Sequence, residues 1–253
     1  MRVRIGSSLD SLRRSVFKNK VDIERAGLVF NLDANNLSTL FYKESGVSGL
    51  TPATVGQLVN TITAWTPTGN VTLISDTINT GLTLIKPDAT KEKYALSGSG
   101  GSYGFRYTKD GLGSAPLVDT SNCFIVVTMK RNSSFYPITA NNNMTATILQ
   151  FGSTLYISTT AGLSFDNTLT DLFVLSINNN AANRKAYINK TNKGLSGTDK
   201  NTEIGGIGDG ASARAYGSIC GIQVYSPLPT DGTYENVAQS IIDKAMKYYG
   251  VTG

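Results

Sequence analysis

The chain has 253 residues, 40% of them hydrophobic and 16% charged, with 26 Gly, two Cys and no His. Without histidine there is no imidazole base, no Ser-His-Asp triad and no imidazole metal ligand, and no stretch approaches the ~18 uninterrupted apolar residues of a membrane span. The length fits one or two domains of roughly 150 residues, and a charged fraction under the ~25% of an ordinary domain leaves Asn, Thr, Ser and Gly to fill turns and strand faces.

The charge is concentrated at the start. Net charge is +5, and residues 1–25 carry +4 of it through seven basic and three acidic side chains. The remainder is close to neutral, so the sequence predicts no nucleic-acid-binding surface on the main domain. Within the leader, Leu9, Leu12 and Val16, with Phe17, recur at helical spacing behind a capping pattern of Ser7 and Asp10. This predicts a short amphipathic helix, or an arm that orders on contact, because an isolated helix this short is marginal. Arg2, Arg4, Arg13, Arg14, Lys18 and Lys20 surround the stripe. They form either a cationic attachment surface for an acidic partner or an ordinary solvated arm. No apolar h-region follows the first arginines, so no secretory signal is expected.

From Ala26 onward the pattern is that of strands. Leu28-Val-Phe-Asn-Leu-Asp33 reads as a strand closed by the turn-forming Asp33-Ala-Asn-Asn36. Residues 43–56 read as a loop, Val71–Ile74 and Leu82–Ile85 as short strands, and the Gly/Ser run 97–104 as a loop or tight bend. Cys123–Met129 is almost wholly apolar and β-branched, which predicts a central strand covered on both faces. Thr147–Phe151 and Thr154–Ser158 flank Gly152-Ser153, a two-residue hairpin turn. Leu172–Ile177 and Arg184–Asn189 form a second hairpin, and Ala215–Tyr225 a long strand. Glu235–Tyr249 is the one convincing helix of the body, with Thr233 as cap and Gly250 as stop. Cys123 and Cys220 both sit in strand-like apolar runs and read as buried thiols, with a bridge between them as the alternative. About ten to twelve strands at roughly ten-residue spacing argue for a two-sheet sandwich.

Two stretches carry a resemblance. Leu32-Asp-Ala-Asn-Asn-Leu-Ser-Thr-Leu-Phe41, then Thr51-Pro-Ala-Thr-Val-Gly-Gln-Leu-Val59 and Trp65, resemble the opening of concanavalin A-like (laminin-G-like) domains of bacteriophage virion proteins. Leu172–Asn189 and Gly217–Gly250, ending in Lys247-Tyr-Tyr-Gly250, are similar to the closing hairpin, strand and helix of such domains. The resemblance covers about residues 27–250. It implies an all-β, two-sheet antiparallel jelly-roll sandwich with a basic N-terminal arm (1–26), a sandwich body (27–253) and a terminal helix (234–249). It further implies a non-enzymatic virion structural protein, a capsid decoration or a head or tail fibre component. Such a protein would be assembled in the host cytoplasm, anchored through the arm to other virion proteins, and homo-oligomeric. The alternative is a carbohydrate-binding module that adheres to host-surface glycan.

The candidate sites follow from residue chemistry. Retaining glycosidases of this fold need two carboxylates ~5 Å apart. None of the five Glu (24, 44, 92, 203, 235) stands two or four positions from another acid in a strand, so no catalytic residue is expected. Trp65, with the amides of Asn178, Asn179 and Asn180, is a candidate glycan-binding set, core and sheet packing being the alternative for the aromatic. Asn180 and Asp209 are calcium candidates at a sandwich rim, as are Asp33, Asn35 and Asn36, against plain turn chemistry. No other cofactor is expected. Gly205–Gly210 lacks the Lys-Ser/Thr of a phosphate loop and reads as a hairpin.

Overall fold

The strand Leu28–Asp33 forms as its sequence dictates and ties the molecule together. It pairs antiparallel with Tyr216–Tyr225, placing Leu32 opposite Ile222 and Asp33 opposite Gly221, and it meets the strand Thr61–Thr66 where Asn31 lies opposite Trp65. Leu28 faces Tyr225 while Phe30 faces Val224, so Val29 is the extra residue of a β-bulge. The bulge turns Leu28 to one side of the sheet and Phe30 and Leu32 to the other.

The computed structural model describes residues 24–75, 81–87, 93–99, 105–107, 118–119, 123–131, 135–139, 146–151, 154–157, 161–164, 171–178, 185–194, 203–204, 206–207, 216–227 and 233–253. Arg2, Arg4, Leu9, Leu12, Arg13, Arg14, Val16, Phe17, Lys18 and Lys20 of the leader lie outside them.

One layer is built on the long strand Tyr216–Tyr225. Phe124–Arg131 pairs on one side of it, followed outward by Phe173–Asn178, Lys185–Ile188 and Thr191–Asn192. On its other side lie Leu28–Asp33 and Ala95–Ser99, the latter leading to Leu82–Ile85 and Leu58–Val59. The second layer runs through Thr61–Thr66, Gly69–Ser75, Phe105–Tyr107, Gly206–Ile207 and Phe135–Thr139 to the meander of Ala146–Phe151, Thr154–Ile157 and Ala161–Ser164. All of these pairings are antiparallel. The chain is thus an all-β, two-sheet antiparallel sandwich of the jelly-roll type with one C-terminal helix.

Two cores result. Phe30, Leu32, Ile62, Leu73, Ile125 and Leu175 fill the space between the sheets. The outer face of the first sheet is covered by the helix Tyr234–Tyr249, which packs Ala238, Ile241, Ile242, Ala245 and Tyr249 over Phe124, Val126, Val174 and Tyr187. The strand after Cys123 is therefore apolar on both faces for a visible reason: Ile125, Val127 and Met129 face the other sheet, and Phe124 and Val126 face the helix. Burying each such large side chain contributes about 1.5–3 kcal/mol.

Several local expectations change. Residues 97–99, read as loop, belong to the strand Ala95–Ser99, where Gly98 lies opposite Gly217 and Ser97 opposite Ser218; the small residues serve close pairing of two backbones. Thr51–Pro52, inside the expected loop 43–56, forms a short bridge to Phe41 and Tyr42. Thr233 receives the first helical N–H (Val237, 3.2 Å) with its carbonyl, without a side-chain cap. Gly250 ends the helix as expected, in left-handed conformation (φ 70°), its N–H bonded to the Met246 carbonyl. Cys123 lies in the inter-sheet core and Cys220 in the core under the helix, neither in a disulfide. They stand on opposite faces of one sheet, which rules out a bridge between them.

Candidate functional site

Where the first strand ends, side chains on the sheet's outer face meet the last turn of the helix. Alternation sends Leu32 inward and Asn31 and Asp33 outward. The Asp33 carboxylate then collects donors. Oδ1 accepts the backbone N–H of Asn35 (2.9 Å), its side-chain Nδ2 (3.0 Å) and the Tyr249 hydroxyl (3.3 Å), and Oδ2 accepts the Tyr248 hydroxyl (2.5 Å). The Oδ1 of Asn35 is taken in turn by the N–H of Tyr94 (2.9 Å). Tyr249 is fully buried, and loss of water around it pushes its hydroxyl well above the ordinary value, so it remains a neutral donor. The turn at Asp33, Asn35 and Asn36 is thus an Asx turn braced by two tyrosines.

Beside this corner is a cleft of about 390 Å³. Asn31 and Asp33 form one wall, and Asn36, Ser38 and Thr39 around the short 3-10 turn Leu37–Thr39 form its end. Its floor comes from Thr63 and Trp65, with Phe41 and Asn70 on the neighbouring strands. The register explains the arrangement. Trp65 stands opposite Asn31 on one side and Asn70 on the other, so the indole is flanked by two amides. Ala64 and Ile62, the alternate residues, enter the core. Trp65 is 37% exposed, the sole tryptophan of the chain, and its ring lies on an open sheet face.

The amides are held in place. Asn31 Oδ1 accepts from Nε2 of the buried Gln223 (3.3 Å), which also donates to the Tyr249 hydroxyl (2.9 Å). Asn36 Oδ1 accepts from the Ser38 hydroxyl (2.7 Å). Both asparagines thus spend their oxygens on the protein and keep their N–H₂ groups without a partner among the described residues. An exposed aromatic face ringed by fixed amide donors and hydroxyls is suited to a ring-shaped polyol, whose C–H face stacks while its rim hydrogen-bonds.

The expected residues divide. Trp65 occupies the cleft. Asn178 does not: it is 2% exposed and sits at the end of Phe173–Asn178 beneath the start of the helix, some distance in topology from Trp65. The expected joint glycan set of Trp65 and Asn178 is corrected on that ground. Asn179, Asn180 and Asp209 lie outside the described residues. Asn31, Asn36 and Asn70 were missed as partners of Trp65. The signal that places Asn70 there is the alternation Thr61-Ile-Thr-Ala-Trp-Thr66 before the turn at 67–68, whereas Asn31 requires the sheet closure between the first strand and Thr61–Thr66.

Two further polar clusters fasten the helix. Near its start, Glu235 accepts from Lys185 Nζ (2.9 Å) and from the Tyr187 hydroxyl (2.9 and 3.0 Å). The Lys185 bond holds the Glu235 carboxyl below its usual value, while burial pushes the Tyr187 phenol up. Midway, Lys244 donates to Glu24 at the base of the leader, and this bond with the Ala26 N–H lowers the Glu24 carboxyl to about 2. Among the described residues, no group of three or more Cys, Asp or Glu gathers as a metal site would require, and no helix is long and apolar enough to cross a membrane.

No protein-family model matches the sequence, and no curated protein matches it. Similar solved structures include domain 4 of AbnA, a GH43 extracellular arabinanase from Geobacillus stearothermophilus, in complex with arabinotriose (13% identity, 87% of this chain and 100% of that one, TM-score 0.39). Others are the Trypanosoma rangeli sialidase in complex with sialic acid (10% identity, TM-score 0.43) and the binding domain of botulinum neurotoxin serotype D/C (11% identity, TM-score 0.40). The chain aligns over 88% and 85% of its own length with these two and spans 34% and 52% of theirs.

Proposed function

We propose that this chain is a non-catalytic, glycan-binding β-sandwich carried on a virion, with the Trp65 cleft as its adhesive site. The observation that carries the adhesive reading is the register of Asn31, Trp65 and Asn70, which sets one exposed indole between two amides over a cleft large enough for one or two sugar rings. The non-catalytic reading is supported by Asp33, whose oxygens accept from Asn35, Tyr248 and Tyr249 and which has no second carboxylate beside it among the described lining residues. A glycan array probed with the full chain and with Trp65→Ala tests this. Binding by the full chain that is lost in the variant, with unchanged thermal stability, supports the site. Equal binding by both moves it elsewhere.

The virion reading is favoured by a separate observation, the opening phrase Leu32–Phe41 together with the +4 carried by residues 1–25. A cationic, partly amphipathic arm gains order on an acidic capsid or tail surface, and assembly on a symmetric particle favours homo-oligomers. In this reading the protein is a capsid decoration or fibre component, made in the host cytoplasm and incorporated there. Deleting residues 1–25 is expected to abolish incorporation into particles; undiminished incorporation overturns the anchoring role. Where the arm joins the body, Glu24 is clamped to the helix by Lys244 and its carbonyl accepts from the buried Tyr225 hydroxyl (3.3 Å).

A further inference from the structure

The cleft has a charge and a donor pattern that select among sugars. Of the described side chains that line it, Asp33 is the one ionisable group, and no described lysine or arginine is among them. Lys93 lies over the Tyr248 ring, 4.4 Å from its centroid, and is not among the described residues of the lining. Asp33 Oδ1 carries three donors, whereas Oδ2 carries the Tyr248 hydroxyl and retains acceptor capacity. On the same wall, Nδ2 of Asn31 is a fixed donor with no partner among the described residues. We infer that the cleft is selective for neutral pyranose sugars and rejects acidic ones. This deepens, and rests on, the glycan-binding reading of the same site.

The chemistry is that of a hydroxyl. A sugar hydroxyl can donate to Asp33 Oδ2 and accept from Asn31 Nδ2 at once, and an adjacent hydroxyl can accept from Asn36. A carboxylate or sulfate can accept but not donate. Placed in the same position it faces the like charge of Asp33, with no cation among the described lining residues to offset it. The exclusion is built in rather than adaptable, because both tyrosines that hold the carboxylate belong to the last turn of the packed helix.

The sole tryptophan makes the site its own reporter. The experiment titrates Trp65 emission with matched pairs of oligosaccharides. Each pair comprises an acidic member, sialylated or uronate-containing, and the neutral form made from it by desialylation or carboxyl reduction. The neutral member is expected to bind at least about tenfold more tightly. Raising the salt is expected to improve the acidic member while leaving the neutral one unmoved, since screening weakens repulsion between exposed charges. Asp33→Asn is expected to narrow the gap by admitting the acidic member, and the salt series reads the same quantity without a substitution should that variant fold poorly. Acidic members that bind as tightly as neutral ones, with no salt dependence, overturn the charge selection while leaving the glycan site standing. Emission unmoved by every sugar of both series overturns the selection and the glycan-binding reading together.

Discussion

Tyr248 donates its hydroxyl to Asp33 at 2.5 Å across 215 positions of sequence, joining the last turn of the helix to the end of the first strand. Tyr249 adds a second donor to the same carboxylate and lies over Gly221, where a Cβ would come within 1.8 Å of its hydroxyl oxygen. The corner is therefore tightly fitted. Gly221→Ala is expected to destabilise by about 1–3 kcal/mol through overpacking, and Tyr249→Phe by about 1–3 kcal/mol, because Gln223 and Asp33 both lose a buried partner. Urea denaturation with an unchanged m-value checks both.

Acid should loosen the base of the leader. The Lys244 ammonium and the Ala26 N–H hold the Glu24 carboxyl at about 2, below its ordinary value of 4.5. A depressed folded-state value means the stabilisation is fully present above about pH 4.5 and drains away as pH falls toward 2. Lys244 is nearly half exposed, so the pair contributes only about 0.2–1 kcal/mol. Thermal midpoints measured from pH 2 to 6 should fall more steeply in the native chain than in Glu24→Gln. Parallel curves would show that the pair contributes nothing.

Glu235 fastens the other end of the helix. The Tyr187 hydroxyl, on a side chain of zero exposure, and Lys185 both donate to it. Glu235→Ala removes a charged acceptor from a buried phenol and is expected to cost about 1–3 kcal/mol. Lys185→Met removes the partly exposed ion pair, with the ammonium's 6.0 Å contact over the Tyr234 ring, and should cost about 1 kcal/mol or less. Comparing the two by denaturant unfolding separates the buried bond from the surface one.

The thiols should be silent in the native state. Cys123 and Cys220 are buried, and burial pushes the Cys220 thiol up to about 12, where almost no thiolate exists near neutral pH. A thiol reagent at pH 8 is expected to titrate neither cysteine until denaturant is added, then both. Reaction of one thiol in the native protein would show that its covering layer opens.

The sequence revealed elements wherever local pattern and burial agree. Leu28–Asp33, Leu82–Ile85 and the helix Tyr234–Tyr249 form at the residues expected. The all-apolar run at Phe124 was legible because a strand covered on both faces needs no alternation. Ala95–Ser99 was not, since Gly and Ser signal loops unless a partner backbone such as that of Gly217 lies close. Of the site, Trp65 was legible by residue type alone. Its amide neighbours were not, because Asn31 reaches it only through strand pairing with a residue 34 positions later in the chain. The pairing of Trp65 with Asn178 failed for the complementary reason: Asn178 ends a strand whose outer face the helix covers.

The first strand has its main partner in Tyr216–Tyr225, and the helix that follows seals the same sheet. During synthesis the ribosome must therefore release the chain through Tyr225 before Leu28–Asp33 finds this hydrogen-bonding neighbour. Until then Phe124, Val126 and Val174 lack their cover. Any nascent product stopped short of Tyr234 presents that greasy surface to chaperones and proteases, so quality control falls on the helix Tyr234–Tyr249.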